Sequence, residues 1–371
     1  MAIPQMDPGA AYRALKPEID AAVARVLASG WYILGQEVAG FEAEYAATLG
    51  LGHAVGVANG TDAIILALRA LDIGPGDRVA TVSHTAVATV AAIELVGAEP
   101  VLVDIEPISC MLDPVELDLC LDAVPGIKAV IPVHLYGQSA DLVPILETAR
   151  RHGAAVIEDC AQAQGATLDG RPLGSFGDIA CFSFYPTKNL GGFGDGGAVT
   201  TPDPGLADRL RSLREYGWKE RYVSAVTGMN SRLDELQAAI LRVRLPHLAA
   251  ENGRRDEIAA AYDRGLAGLP LELPHRRPDV VPAWHQYVVR SQNRDALQQA
   301  LKARGIGTNI HYPVPVHLQP AYAGRLKTGP SGLAVTELVA REVLSLPMYP
   351  QLAESAVAEV IAAIRAVLGA N

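Results

Sequence analysis

The chain has only four cysteines, Cys110, Cys120, Cys160 and Cys181, with no CxxC pair and no histidines at zinc-finger spacing. Neither a metal site nor a disulfide framework is indicated, and a reducing cytoplasm is the simple reading. Runs of lysine and arginine are missing and the formal net charge is -10. A nucleic acid or an anionic membrane therefore has no electrostatic footing. No uninterrupted apolar stretch approaches membrane-spanning length, and the opening MAIPQMDPGAAYRALKPEID lacks the basic start and apolar core of an export signal. The expectation is a soluble, untargeted protein. Solenoid repeats and low-complexity tracts are also absent, and lysine itself is scarce: Lys188 has only Lys16, Lys128, Lys219, Lys302 and Lys327 for company.

What is present is apolar and ordered. The 371 residues are 50% hydrophobic, enough to bury a large core and to build two domains. After an opening helix at about Pro17 to Ser29, short β-rich runs lead through a turn into a helical pattern. Examples are HAVGVANGTDAIILALRAL, DRVATVSHTAVATVAAIELVG, and KAVIPVHLYGQSADLVPILETARRHG followed by AAVIEDCAQAQGA. Strands alternating with helices predict an α/β fold with a mostly parallel sheet covered on both faces, because parallel neighbours need a crossover between them. Ala129 to Pro132 and Ala155 to Ile157 lack polar alternation, as buried parallel strands do. A long helix is predicted from near Ser231, where Leu233, Leu236, Ile240 and Val243 recur at helical spacing, with Pro246 kinking or ending it. Beyond about Asn252 the composition turns Pro-rich. The division expected is a large α/β domain over residues 1–250 and a smaller α+β domain over 251–371, with a terminal helix near Ser355 to Leu368.

Three segments carry chemistry. Residues 181–198 read CFSFYPTKNLGGFGDGGA, placing Lys188 between an aromatic strand and a turn with Gly191, Gly192, Gly194, Gly196 and Gly197. A lysine amine becomes a nucleophile where burial lowers its pKa, and glycines let a bulky cofactor come close. Alone, such a segment is more often simply a turn. Asn59-Gly60-Thr61-Asp62 precedes a helix; free N–H groups there, with Gly60 removing bulk and Thr61 able to cap, suit a phosphate or serve as an ordinary N-cap. Val156-Ile157-Glu158-Asp159 ends a buried strand. An aspartate at that end lies where open α/β sheets bind ligands, or else caps the next helix. Together the three fit pyridoxal 5′-phosphate, with its aldehyde on Lys188, its phosphate on the 59–62 turn and its ring nitrogen facing Asp159.

With these residues in view, the chain resembles the DegT/DnrJ/EryC1/StrS aminotransferases, which make amino sugars on the fold type I (aspartate aminotransferase-like) scaffold. The resemblance runs from Gly30-Trp31-Tyr32-Ile33-Leu34-Gly35 to Leu346-Pro347 and is carried by ANGTDA, IPVHLYGQ, IEDCAQAQGA, SFYPTKNLGGFGDGGA, GMNSRLDELQAA and HYPVPVH. It implies that Lys188 forms the internal Schiff base and shuttles protons, that Asp159 keeps the pyridine nitrogen protonated, and that Gln162 bonds the ring's 3-oxygen. It implies phosphate contacts from Gly60, Thr61 and Ser183, with Asp62 in the same cofactor-binding turn, and from Asn230 of the other subunit of a homodimer. Where the family usually lays an aromatic ring over the pyridine, this chain has Ala86, and His84 is expected to supply the ring instead. Tyr32, Leu34, Tyr216, Lys219, His311, Tyr312 and His317 match positions that line the sugar-nucleotide cleft. His285, in WHQY, either joins them or packs against the second domain.

The activity implied is transfer of an amino group from L-glutamate, released as 2-oxoglutarate, to a keto sugar linked to a nucleoside diphosphate. The stretches SFYPTKNLG and RYVSAVTGMNSRLDELQAA, with Asp195, resemble enzymes that aminate at C3. Aminotransferases of 4-keto sugars or cyclitols are the alternatives within the family, and a family dehydratase would carry histidine in place of Lys188. A non-catalytic regulator on the same fold is the alternative of another class. The intact set Lys188, Asp159, Gln162 and Ser183 disfavours it, since buried polar groups cost stability without a ligand to satisfy them.

Overall fold

The computed structural model describes residues 2–369. At its centre lies an eight-stranded sheet. Across it the strands run His53–Val57, Gly197–Thr201, Ile179–Ser183, Ala155–Asp159, Ile127–Ile131, Arg78–Val82, Glu99–Val103 and Lys327–Thr328. Within this sheet only Gly197–Thr201 opposes its neighbours; the rest are parallel, as the strand–helix alternation predicts. The exception has a local cause. Ile179–Ser183 returns to Gly197–Thr201 through a glycine-rich loop with no crossover helix, which antiparallel neighbours permit, and this loop places Lys188 beyond the carboxyl end of a central strand.

Side-chain alternation then separates core from site. Residues 182 and 184 share one face and Ser183 takes the other. Phe182 and Phe184 enter a cluster with Phe41 and Tyr45, meeting edge to face at centroid distances of 5.2 to 5.4 Å. Each such pair adds about 0.5–1.5 kcal/mol beyond its buried area, so the chain entering the Lys188 loop is firmly anchored. Glu158, wholly buried, does similar work one residue before Asp159. Its oxygens accept the N–H groups of Gly174 (2.9 Å), Phe176 (2.7 Å) and Gly177 (2.8 Å) and lie 3.1 Å from His134 Nε2. His134 Nδ1 accepts from Ala140 N–H at 3.1 Å, which assigns its proton to Nε2. Burial pushes the Glu158 carboxyl up, but His134 and the Gly177 and Gly174 N–H groups outweigh it and bring the pKa below its ordinary value.

Element boundaries follow the sequence with one informative difference. The helix predicted at about Pro17 to Ser29 is Lys16–Ser29, preceded by a short helix, Pro8–Ala14, that the pattern does not foretell, and the terminal one is Glu354–Leu368. The helix predicted from Ser231 begins instead at Glu235. Asp234 bridges to Ile33, and the Glu235 carboxylate accepts the N–H groups of Gly35, Glu37 and Val38 at 2.8 to 3.0 Å. It thereby satisfies the orphan donors of helix Gln36–Thr48. At Pro246 the helix tightens into the 3₁₀ turn Leu245–His247 before Leu248–Leu266 continues.

In the C-terminal region Tyr287–Arg290 pairs antiparallel with Val343–Leu346 around a core of Tyr262, Trp284, Tyr287 and Leu346. Lys327–Thr328 extends from this region onto the edge of the large sheet, and Val316 and Leu333 pack against Val90 and Leu102. Edge pairing and these apolar contacts fix the segment that carries His311 and Tyr312. Among the described residues no helix is long and apolar enough to cross a membrane.

Candidate active site

Asp159 is buried at the end of its strand. One oxygen accepts from the Thr89 hydroxyl at 2.9 Å, which is 3.0 Å from that of Thr85; the other accepts from Ala161 N–H at 3.1 Å. These donors orient the carboxylate and leave lone pairs for one more. Lys188 as a whole residue is half-buried, yet protein crowds its amine. Desolvation lowers its pKa from 10.5 to about 8, against the opposing pull of Asp159. Burial first, then the charge of Lys188, lowers His311 to about 4 and His285 well below its ordinary value. Lys188, Asp159, His285 and His311 therefore share one electrostatic pocket, in which the amine is far easier to deprotonate than a surface lysine.

An anion cradle adjoins it. Helix Gly60–Ala70 is capped by Asn59, which takes the N–H of Asp62 on its side chain (2.8 Å) and that of Ala63 on its carbonyl (3.1 Å). The N–H groups of Gly60 and Thr61 are left without a partner among the described residues, at the positive end of a helix. A Cβ on Gly60 would lie 2.7 Å from Ser183 Cβ and one on Gly197 2.5 Å from the Asn59 carbonyl oxygen. Glycine is needed here for space, so that the turn and Ser183 converge. Asp62 stands in the same turn, which it closes through its N–H to Asn59.

Gln162 is fixed from two sides. Its Oε1 accepts Tyr136 N–H at 2.7 Å and its Nε2 donates to the Tyr312 hydroxyl at 3.2 Å, which leaves one N–H spare. His84 requires a correction. Only 1% exposed, its ring meets Tyr136 edge-on, with Nε2 at 2.8 Å from the phenol, which in turn bonds the His311 carbonyl. A ring that covered a cofactor would present a face to open space in the ligand-free chain, and His84 presents none. Burial, aided by the charge of Arg290, lowers its pKa to about 4, and it braces Tyr136 instead. Ala86 is half-buried at the start of helix Val87–Leu95.

The residues matched to the substrate cleft divide. His311, bonded through Nδ1 to Ser345 at 2.8 Å, and Tyr312 stand by Lys188 and Asp159. His317 is half-buried, with Nδ1 2.7 Å from Ser83 and Nε2 3.4 Å from Glu337, and ties its turn to the sheet. Leu34 is half-buried beside the Phe41 cluster. Tyr32, Tyr216, Lys219 and Asn230 are exposed, Tyr216 lying against Trp218 with centroids 5.3 Å apart and Asn230 bridging to Glu215. In one chain, no hydrogen bond or aromatic contact among the described residues ties these four to the Lys188 pocket.

Several supports escaped sequence reasoning. Asn189, next to the lysine, donates to Asn252 Oδ1 (2.8 Å) and the Ala283 carbonyl (2.6 Å) and lies 3.1 Å from His285 Nδ1. Arg244 donates to the Gly191 carbonyl at 2.5 Å, and Gln237 accepts Phe193 N–H at 2.8 Å. This web holds the lysine loop. Buried Asn and Arg must find partners, so the dipeptide Lys188-Asn189 was a usable signal; Thr89 and Arg244 carried none.

Comparison with known proteins gives the family. The model of the DegT/DnrJ/EryC1/StrS aminotransferase family matches residues 13–365. The chain is 52% identical over 365 residues to the dTDP-3-amino-3,4,6-trideoxy-alpha-D-glucose transaminase of Streptomyces venezuelae, covering 98% of this chain and 95% of that one. It is 49% identical over 367 residues to the erythromycin biosynthesis sensory transduction protein EryC1 of Saccharopolyspora erythraea, covering 99% and 100%. The crystal structure of S. venezuelae DesV in complex with a ketimine intermediate superposes with a TM-score of 0.95 at 52% identity, over 99% of this chain and 98% of that one. Sheet, lysine loop and strand-end aspartate define an aminotransferase of the aspartate aminotransferase-like, fold type I class. The chain belongs to the DegT/DnrJ/EryC1/StrS aminotransferase family.

Proposed function

We propose that the protein transfers the amino group of L-glutamate to C3 of a keto sugar, a 3-keto-6-deoxyhexose, carried on a nucleoside diphosphate, using pyridoxal 5′-phosphate. The observation that carries this is the convergence of a lysine amine of lowered pKa, a doubly braced aspartate and a vacant pair of helix-start N–H groups beside Ser183. The names of similar proteins, 3-amino-3,4,6-trideoxy sugar transaminases among them, support a deoxy sugar aminated at C3. The cofactor, when bound, supplies an electron sink for charge that develops on the reacting carbon.

The chain's own groups do the rest. Lys188 would hold the cofactor through its aldehyde carbon, and its amine, when free, would take the α-proton of glutamate and return a proton at the sugar carbon. Asp159 holds a proton on the ring nitrogen, and Gln162 offers its spare N–H to the 3-oxygen. Gly60, Thr61 and Ser183 bind the phosphate. Asn230 of a second copy of the chain completes the site, a reading supported by the exposure of Asn230 and of the neighbouring Tyr222 and Val223. In this reading the active unit is a homodimer in the cytoplasm, residues 1–250 binding the cofactor and 251–371 helping to close the cleft. Substitution of Gly60 by alanine is expected to weaken pyridoxal 5′-phosphate binding about tenfold or more, given the usual cost of overpacking. Equilibrium dialysis checks this, and unchanged affinity would put the phosphate elsewhere.

Regulatory names among the similar proteins, a sensory transduction protein and a pleiotropic regulatory protein, favour a second, non-catalytic reading. A panel of nucleotide-linked 3-amino and 4-amino sugars, assayed with 2-oxoglutarate in the amine-consuming direction, separates the possibilities. Consumption of the 3-amino compounds with release of glutamate is expected. Preference for 4-amino compounds would overturn the position of amination, and no turnover of any compound would favour the regulator.

A further inference from the structure

Tyr312 was matched to the sugar-nucleotide cleft, yet its polar contact points to the cofactor. The Gln162 carboxamide is oriented without ambiguity: Tyr136 N–H can only donate, so the oxygen faces it at 2.7 Å and Nε2 must be the atom 3.2 Å from the Tyr312 hydroxyl. The Tyr312 oxygen therefore accepts. Its own hydrogen has no acceptor among the described residues, and burial followed by the charge of Asp159 raises its pKa to about 12, so the phenol stays neutral and able to donate. Tyr136, which sets the amide, is itself pinned by His84 and the His311 carbonyl.

We propose that Tyr312 and Gln162 act as a coupled donor pair on the 3-oxygen of the bound cofactor, Tyr312 directly and by orienting Gln162, and so set the acidity of the Lys188–cofactor linkage. This rests on the reading that Lys188 binds pyridoxal 5′-phosphate. Donors withdraw electron density from the 3-oxygen and loosen its hold on the proton at the linkage nitrogen, which lowers the pH at which that proton leaves. The charged and titratable groups facing the linkage are Asp159, His285 and His311, and the substitution of Tyr312 leaves all three side chains in the protein.

The test is a spectrophotometric pH titration of the cofactor-loaded protein and its Tyr312→Phe variant, with KM for a 3-amino sugar nucleotide measured alongside. The variant keeps the ring, and its cofactor content is checked by release in alkali. The visible band of Tyr312→Phe should titrate about one pH unit higher than that of the parent, the size expected for one hydrogen bond to a charged group, with KM within about twofold. Titration at the parent's pH, with or without a raised KM, overturns the pairing and returns Tyr312 to the substrate. A parent protein with no visible band overturns the cofactor reading itself, a distinguishable failure.

Discussion

Lys188→Ala should abolish transamination, lowering turnover by at least about 10,000-fold, because it removes both the covalent handle and the one group that moves the proton. The fold should survive, since the amine takes no part in the hydrogen bonds that hold its loop: Asn189, Arg244 and Gln237 make those. Circular dichroism and half-reactions with glutamate, followed by absorbance, check both halves. Residual turnover within a hundredfold of the parent would mean that another base serves. The lowered pKa adds a pH signature. Only the neutral amine attacks an aldehyde, so covalent capture of pyridoxal 5′-phosphate by cofactor-free protein should speed up as pH rises through about 8 and then level off.

Asp159→Asn has the second largest expected effect. The change keeps the shape and an acceptor for Thr89 or Ala161 but removes the charge that holds a proton on the cofactor ring. Loss of one well-placed electrostatic group costs about 100- to 1000-fold in kcat, while the cofactor remains bound through Lys188 and its phosphate. Single-turnover rates with glutamate measure this. A variant as fast as the parent would show that the ring nitrogen needs no charged partner.

Much of this is legible in the sequence. The strand–helix alternation gave the parallel sheet, and Asn59–Asp62, Asp159 and Lys188 each fall at a carboxyl strand end or helix start, where open α/β sheets bind ligands. Local physics is enough for such positions. The failures share another cause. His84 was credited with stacking because it lies near Ala86 in sequence, but the direction of its ring is decided by Tyr136, far along the chain. The helix expected at Ser231 starts late because Glu235 is spent on the N–H groups of Gly35, Glu37 and Val38. Periodicity and propensity carry no information on such long-range pairing, and the clamp of Arg244 on the Gly191 carbonyl is invisible for the same reason.

The most direct measurement is borohydride reduction of the cofactor-loaded protein followed by peptide mapping. A pyridoxyl label on Lys188, and on no other lysine, is the predicted result. A label on any of the other five lysines, or a colourless protein that takes up no cofactor, would contradict it.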